Sequence, residues 1–148
     1  MLDINETISI LLSVVGENRG ADDESPDVIR LVTTGRLSRP AADEYVLAYT
    51  ETDPDDGRSQ DITMTMSPHR ITMTRNGPYE TTMVFEKDKR FDGWYETPWG
   101  SMSMGIFPVK VQFAISESEG MAELEYQVDL QGAFSGMHHL KLRFAPND

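Results

Sequence analysis

The chain contains no cysteine, which removes disulfide staples, thiolate metal sites and a cysteine nucleophile together, and nothing in it calls for an oxidising compartment. Basic residues are scarce: 13 Lys and Arg face 25 Asp and Glu, for a formal net charge of -12. A surface with that balance repels phosphate backbones and anionic lipid head groups, so neither nucleic acid nor a membrane is an expected partner. Long apolar runs are also missing. The best candidate, Ile8 to Val15, falls far short of the roughly 20 apolar residues that cross a bilayer. Asp3 and Glu6 precede it where a secretory leader needs basic residues. A cytoplasmic location is the plain expectation.

Sharper chemical signatures are absent as well. There is no glycine-rich phosphate loop, nucleophile elbow or His-Glu-x-x-His pair. The run Asp53 to Gly57 starts like a calcium loop but lacks the downstream glutamate that would complete it. These absences argue against catalysis without removing it, and no catalytic residue, metal or cofactor is nominated.

What the chain does have is two-residue alternation, the signature of strands with one wet face. Between Gly120 and Gly132, Ala122, Leu124, Tyr126, Val128 and Leu130 share one face, and Glu123, Glu125, Gln127, Asp129 and Gln131 the other. A helix would smear these charges around its circumference. After Pro108, the residues Val109, Val111, Phe113 and Ile115 oppose Lys110, Gln112 and Ser116, and Leu140, Leu142 and Phe144 oppose Lys141 and Arg143. The middle of the chain sets methionine toward the core and threonine toward water: Ile62, Met64 and Met66; Ile71 and Met73; Tyr79, Thr81, Met83 and Phe85; Met102, Met104 and Ile106.

Breakers separate these runs: Asp53 to Gly57, Ser67-Pro68, Asn76 to Pro78, Lys87 to Lys89, Pro98 to Gly100, Pro108, and Glu117 to Gly120. The count is about ten strands of roughly 7 to 12 residues, with no helical periodicity. The acidic stretch Glu17 to Asp27 has no core-forming content and reads as a solvated loop. An antiparallel set of this kind must close or stack to hide its edges. The expectation is therefore one all-β domain over residues 1–148, a single antiparallel closed β-barrel of about 8 to 10 strands.

The order of segments resembles the bacterial domain of unknown function DUF1934. The residues that carry the likeness are Thr34-Gly35, Tyr49-Thr50-Glu51, Thr74 to Gly77, Met83 to Glu86, Tyr95 to Gly100, and Leu124-Glu125-Tyr126. The most specific piece, Tyr95 to Gly100, is similar to the family's Tyr-x-Thr-Pro-Tyr-Gly turn, with Trp99 at the second aromatic position. The resemblance implies a calycin-like, lipocalin-like barrel, and it supplies no function and no catalytic residues.

Several polar and soft side chains are candidates for binding. Arg75 shares strand parity with Ile71 and Met73, so it either enters the barrel or escapes at the strand end. A buried guanidinium needs an anion, which Glu51, on the face of Tyr45, Leu47 and Tyr49, or a ligand's carboxylate could supply. His138 shares the face of Leu140, Leu142 and Phe144, while His139 points the other way. Adjacent imidazoles on a strand cannot chelate one ion together, and with only His69 remaining zinc is not expected. Tyr95, Thr97 and Trp99 surround a turn at one rim, where they either form the mouth of a pocket or plug it. Nine methionines are many for this length. Those on core faces, Met73 and Met83 among them, suit either an adaptable ligand pocket or a ligand-free core.

The leading functional reading is a binding module without catalysis, holding a small apolar or amphipathic ligand against Arg75, Glu51, Tyr95, Thr97, Trp99, His138, Met73 and Met83. The alternative is a filled barrel that works through its exterior or as a homodimer, with an exposed apolar patch. The third is a hydrolase-like enzyme, which requires His138, Arg75 and Glu51 to converge within hydrogen-bond reach.

Overall fold

A computed structural model describes residues 2–20, 27–53, 56–77 and 80–147. Ten strands account for most of them: β1 (Thr7–Gly20), β2 (Asp27–Ala41), β3 (Glu44–Thr52), β4 (Ser59–Ser67), β5 (Arg70–Asn76), β6 (Thr81–Phe85), β7 (Phe91–Thr97), β8 (Gly100–Ile115), β9 (Gly120–Leu130) and β10 (Ala133–Pro146). No helix is present among the described residues, so none is long and apolar enough to cross a membrane.

The strands form one sheet in the order β6-β5-β4-β3-β2-β1-β10-β9-β8-β7, antiparallel throughout. Two meanders, β1 to β6 and β7 to β10, are joined where β1 pairs with β10 from Ile10↔Pro146 to Gly20↔Gly136. The sheet curls until β6 and β7 approach each other, and among the described residues their edges touch without forming a ladder. The result is an all-β, nearly closed barrel in which two of twenty strand edges remain unpaired along a short seam. Near-closure disposes of the edge problem that an open sheet of this size would have.

The alternation places the core as the sequence pattern implies. Ile10, Leu12, Leu37, Leu47, Ile62, Met64, Met66, Ile71, Met73, Phe85, Ile106, Ala122, Leu124 and Leu142 are fully buried. Tyr79, expected on the same face as Met83, lies outside the described residues.

Three local expectations are corrected. The stretch Glu17 to Asp27 is not a loop at its ends: β1 continues to Gly20 and β2 begins at Asp27, with Glu17↔Val28 and Asn18↔Asp27 paired, while residues 21–26 lie outside the described set. Ladder hydrogen bonds to two neighbouring strands outweigh the polar composition there. Pro108 does not end a strand either. β8 runs through it with a bulge between Pro108 and Lys110, where the ladder needs no donor. The bulge switches parity, so Ile106 and Val111 both pack inward while Val109 is left on the outside. Strand lengths consequently spread from five residues in β6 to 16 in β8.

The two ends of the barrel differ. At the end where β2 meets β3, β4 meets β5 and β8 meets β9, the interior is filled by Ile10, Leu37, Leu47, Met66, Ile71, Phe85 and Phe144, all at most 3% exposed. Leu2 is buried there as well. Arg39 pins that segment by donating from Nη1 to the Leu2 carbonyl (2.7 Å), and its guanidinium lies 5.2 Å from the Tyr45 ring centroid. At the opposite end, where β1 meets β2, β3 meets β4 and β5 meets β6, the filling stops.

Candidate functional site

The open end contains a cavity of about 560 Å³, within the usual range of small-molecule sites. Strand parity builds it. The inward run Ile8, Ile10, Leu12, Val14 of β1 continues as Gly16 and Asn18, so bulky side chains give way to a glycine. A methyl group placed on Gly16 would meet only Leu140 Cδ1, at 3.8 Å. The inward run Leu47, Tyr49 of β3 ends in Glu51, and Ile71, Met73 of β5 ends in Arg75. Met83, Met104, Val128 and Leu140 complete an apolar wall.

Gly35, also inward and on the neighbouring β2, serves the opposite purpose. A Cβ there would lie 2.6 Å from the Ala48 carbonyl oxygen and 3.2 Å from Tyr49 Cβ. Its missing side chain leaves room for the Ala48 carbonyl and for Tyr49 Cβ, and the Tyr49 side chain lines the cavity.

Arg75 is the centre of the polar group. Its Nη1 donates to Glu51 Oε2 at 3.3 Å, and the two side chains are 30% and 32% exposed. The contact engages one nitrogen only and is longer than the 2.7–2.9 Å typical of charge-assisted bonds. Burial pushes the Tyr49 hydroxyl up to about 12, against the opposing pull of the Arg75 charge. Burial likewise raises Tyr126, again opposed by Arg75. Both phenols are therefore neutral donors at ordinary pH. His138 stacks on Tyr126, ring centroids 5.2 Å apart and planes 19° apart. Burial first, and Arg75 second, hold His138 below the ordinary imidazole value. Among the described residues, no buried side-chain nitrogen or oxygen is left without a partner. The polar atoms of this group open onto the cavity.

Of the side chains expected to bind, Arg75, Glu51, Tyr95, His138 and Met83 line this one cavity. The others are elsewhere. Met73 is fully buried in the packed interior. Thr97 and Trp99 form the β7–β8 turn, with Thr97 Oγ1 donating to the Gly100 carbonyl (2.6 Å) and accepting from the Trp99 backbone N–H (3.2 Å). Gly100 sits there at φ +121, a conformation other residues rarely adopt, and the Trp99 side chain is 92% exposed. The turn fixes its own backbone, and neither Thr97 nor Trp99 lines the cavity. Catalytic convergence is incomplete: Arg75 reaches Glu51, but among the described residues His138 makes no hydrogen bond to either.

Tyr49, Tyr126, Thr81 and Gly16 belong to the site and were not among the candidates. Their signal is in the parity: two tyrosines, a threonine and a glycine occupy inward positions in runs that are otherwise mostly apolar.

His139 faces outward, as expected, but is not free in solvent. Glu123, almost covered on the outer wall, accepts from His139 Nε2 (2.6 Å) and from Gln112 Nε2 (2.9 Å), and Lys110 Nζ is 3.7 Å away. The His139 hydrogen bond, foremost, holds the Glu123 carboxyl below the ordinary carboxylate value. Among the described residues, no three or more His, Asp and Glu side chains gather as metal ligands.

Comparison with known proteins gives the fold a context. A family model described as "Domain of unknown function (DUF1934)" matches residues 12–142. The crystal structure of the ywiB protein from Bacillus subtilis superposes with a TM-score of 0.81 at 19% sequence identity, over 96% of this chain and 94% of that one. At that identity the likeness concerns the fold. No curated protein matches.

Proposed function

We propose that this chain, which belongs to the DUF1934 family, is a binding module that holds a small apolar or amphipathic molecule in the open end of its barrel, without catalysis. The observation that carries this reading is the cavity of about 560 Å³ that places Arg75 beside Glu51, Tyr49, Tyr126 and His138 under a wall of Met83, Met104, Val128 and Leu140. At the opposite end the inward side chains Leu37, Leu47, Met66, Ile71 and Phe85 are fully buried, and the recess of about 630 Å³ at its rim is bordered by Asp3, Glu6, Arg39, Ser116 and Glu117 rather than by an apolar wall with a polar floor. Gly16 supports the same conclusion, because an inward glycine in a long strand costs stability and nothing packed above it requires the space.

Native mass spectrometry of the protein as purified, followed by a thermal-shift series with amphipathic compounds, tests the proposal. A retained mass, or a melting temperature that climbs with ligand concentration as linkage requires, supports it. A bare mass and an unmoved melting temperature across the series contradict it.

A second reading rests on the outer wall, where Leu11 and Val32, half or more exposed, border a groove of about 530 Å³ with Met121 and Ala145. On that reading the exterior is a contact surface for a second copy. Sedimentation of the wild type beside Val32→Glu checks it, since only a real interface weakens on substitution.

A further inference from the structure

We infer that the head group taken by this cavity is a single negative charge, a carboxylate on an apolar body, seated by Arg75 between the hydroxyls of Tyr49 and Tyr126. The inference rests on the binding reading above and names the ligand class for the same site.

The hydrogen-bonding inventory of the cavity floor is unbalanced. Arg75 brings five N–H donors, and among the described residues only Nη1 is engaged, at 3.3 Å, by one oxygen of Glu51. Tyr49 and Tyr126 add two phenol donors that stay protonated, Thr81 adds a hydroxyl, and a neutral His138 adds one N–H. On the floor the Glu51 carboxylate faces these donors, while Asp53, Asp56 and Glu96 stand at the rim with Arg58. A surplus of donors around a cation, at the bottom of an apolar wall, complements a ligand rich in acceptors.

Charge arithmetic then limits the ligand to one negative unit. Glu51 already offsets Arg75, so the pair is neutral, and a carboxylate would bring the cluster to -1. A phosphate dianion would bring it to -2, inside a chain of net charge -12 and beneath a rim where three carboxylates, Asp53, Asp56 and Glu96, outnumber the single Arg58. Val14, Leu31, Met83, Met104, Val128 and Leu140 form an aliphatic and thioether wall that suits a hydrocarbon body, while further polar side chains of the lining include Asn18, Gln60 and Ser135. Glu51 is thus a resident counter-ion that competes with the ligand's own carboxylate for the guanidinium.

Titration calorimetry with octanoate, 1-octanol and octylamine, which share one chain and differ in head group, tests the inference on the full protein. The wild type is expected to bind octanoate best and octylamine worst. Arg75→Met is expected to weaken octanoate by about tenfold or more while keeping 1-octanol, which shows that the variant is folded and its cavity intact. Arg75→Lys retains part of the loss as a point charge without the fork. Glu51→Gln, by removing the competitor, is expected to tighten octanoate. Equal binding of the three compounds, or a weaker octanoate complex in Glu51→Gln, overturns the carboxylate assignment and leaves the cavity reading standing. Failure of all three to bind the wild type overturns both.

Discussion

The two ends of this barrel are made from the same strands and the same alternation, yet they do different things. At the end capped by Leu2 and Arg39, Leu37, Leu47, Met66, Ile71 and Phe85 are fully buried, and neighbouring atoms fill the space at the two glycines there, Gly35 and Gly120. At the other end the inward positions turn to Gly16, Asn18, Glu51, Arg75 and Thr81, and a cavity opens. The paired glycines show the contrast at its smallest scale. Gly35 is required because neighbouring atoms fill its Cβ position, whereas Gly16 is not required by any neighbour and leaves space unused. Packing accounts for the buried side chains of the first end, and the second end exposes Arg75, Glu51 and the neighbouring polar groups to a cavity with an apolar wall.

The largest expected effect is on the packed end. Leu47→Ala, at a fully buried position, should cost about 2 to 5 kcal/mol in chemical denaturation, as large-to-small core changes do. Met83→Ala, whose side chain already borders empty space, should cost about half that or less. Equal losses would break the contrast between the ends. The next effect is at the glycines, where opposite signs are expected. Gly35→Ala must push the Ala48 carbonyl or Tyr49 aside and should destabilise by about 1 to 3 kcal/mol. Gly16→Ala should stabilise by about 0.5 to 1 kcal/mol, the usual gain from replacing glycine inside a strand, and Gly16→Leu should occupy the cavity and abolish ligand-induced thermal shifts.

The smallest effect concerns pH and lies outside both ends. The Glu123 carboxyl is held below its ordinary value chiefly by His139, so its unfolded form takes up protons at a higher pH than its folded form. Its contribution is therefore fully present above the ordinary value of 4.5 and disappears as pH falls through the lower folded value. Glu123→Gln should be less stable than the wild type at neutral pH, and the gap should narrow on acidification through that window. A gap that widens instead would remove the His139–Glu123 bond from the account.

Much of the fold was legible in the sequence because a buried face enforces period-two alternation, and the runs around Leu124, Met64 and Leu142 show it without interruption. Boundaries were harder. Polar residues at 17–20 continue a strand because two neighbouring strands hold them, and a proline that reads as a stop is absorbed by a bulge, neither of which leaves a mark in composition. The site was half legible. Arg75, Glu51 and His138 announced themselves as charged or titratable residues on an apolar face, and parity alone brought them to one end. Thr97 and Trp99 lie in the β7–β8 turn, whose backbone Thr97 fixes, and do not line the cavity. Met73 and Met83 illustrate the limit best. They share a face and pair directly across β5 and β6, yet Met73 is sealed in the core while Met83 borders the cavity, because parity fixes a face and says nothing of what fills the space in front of it.

The methionines also provide the most direct test of the central claim, that one end of the barrel is a ligand cavity and the other is not. In a methyl-labelled methionine NMR spectrum titrated with octanoate, Met83 and Met104, which line the cavity, should shift, while Met64, Met66 and Met73 should hold their positions. Shifts confined to Met121, on the outer groove, or spread evenly over the buried methionines would contradict it.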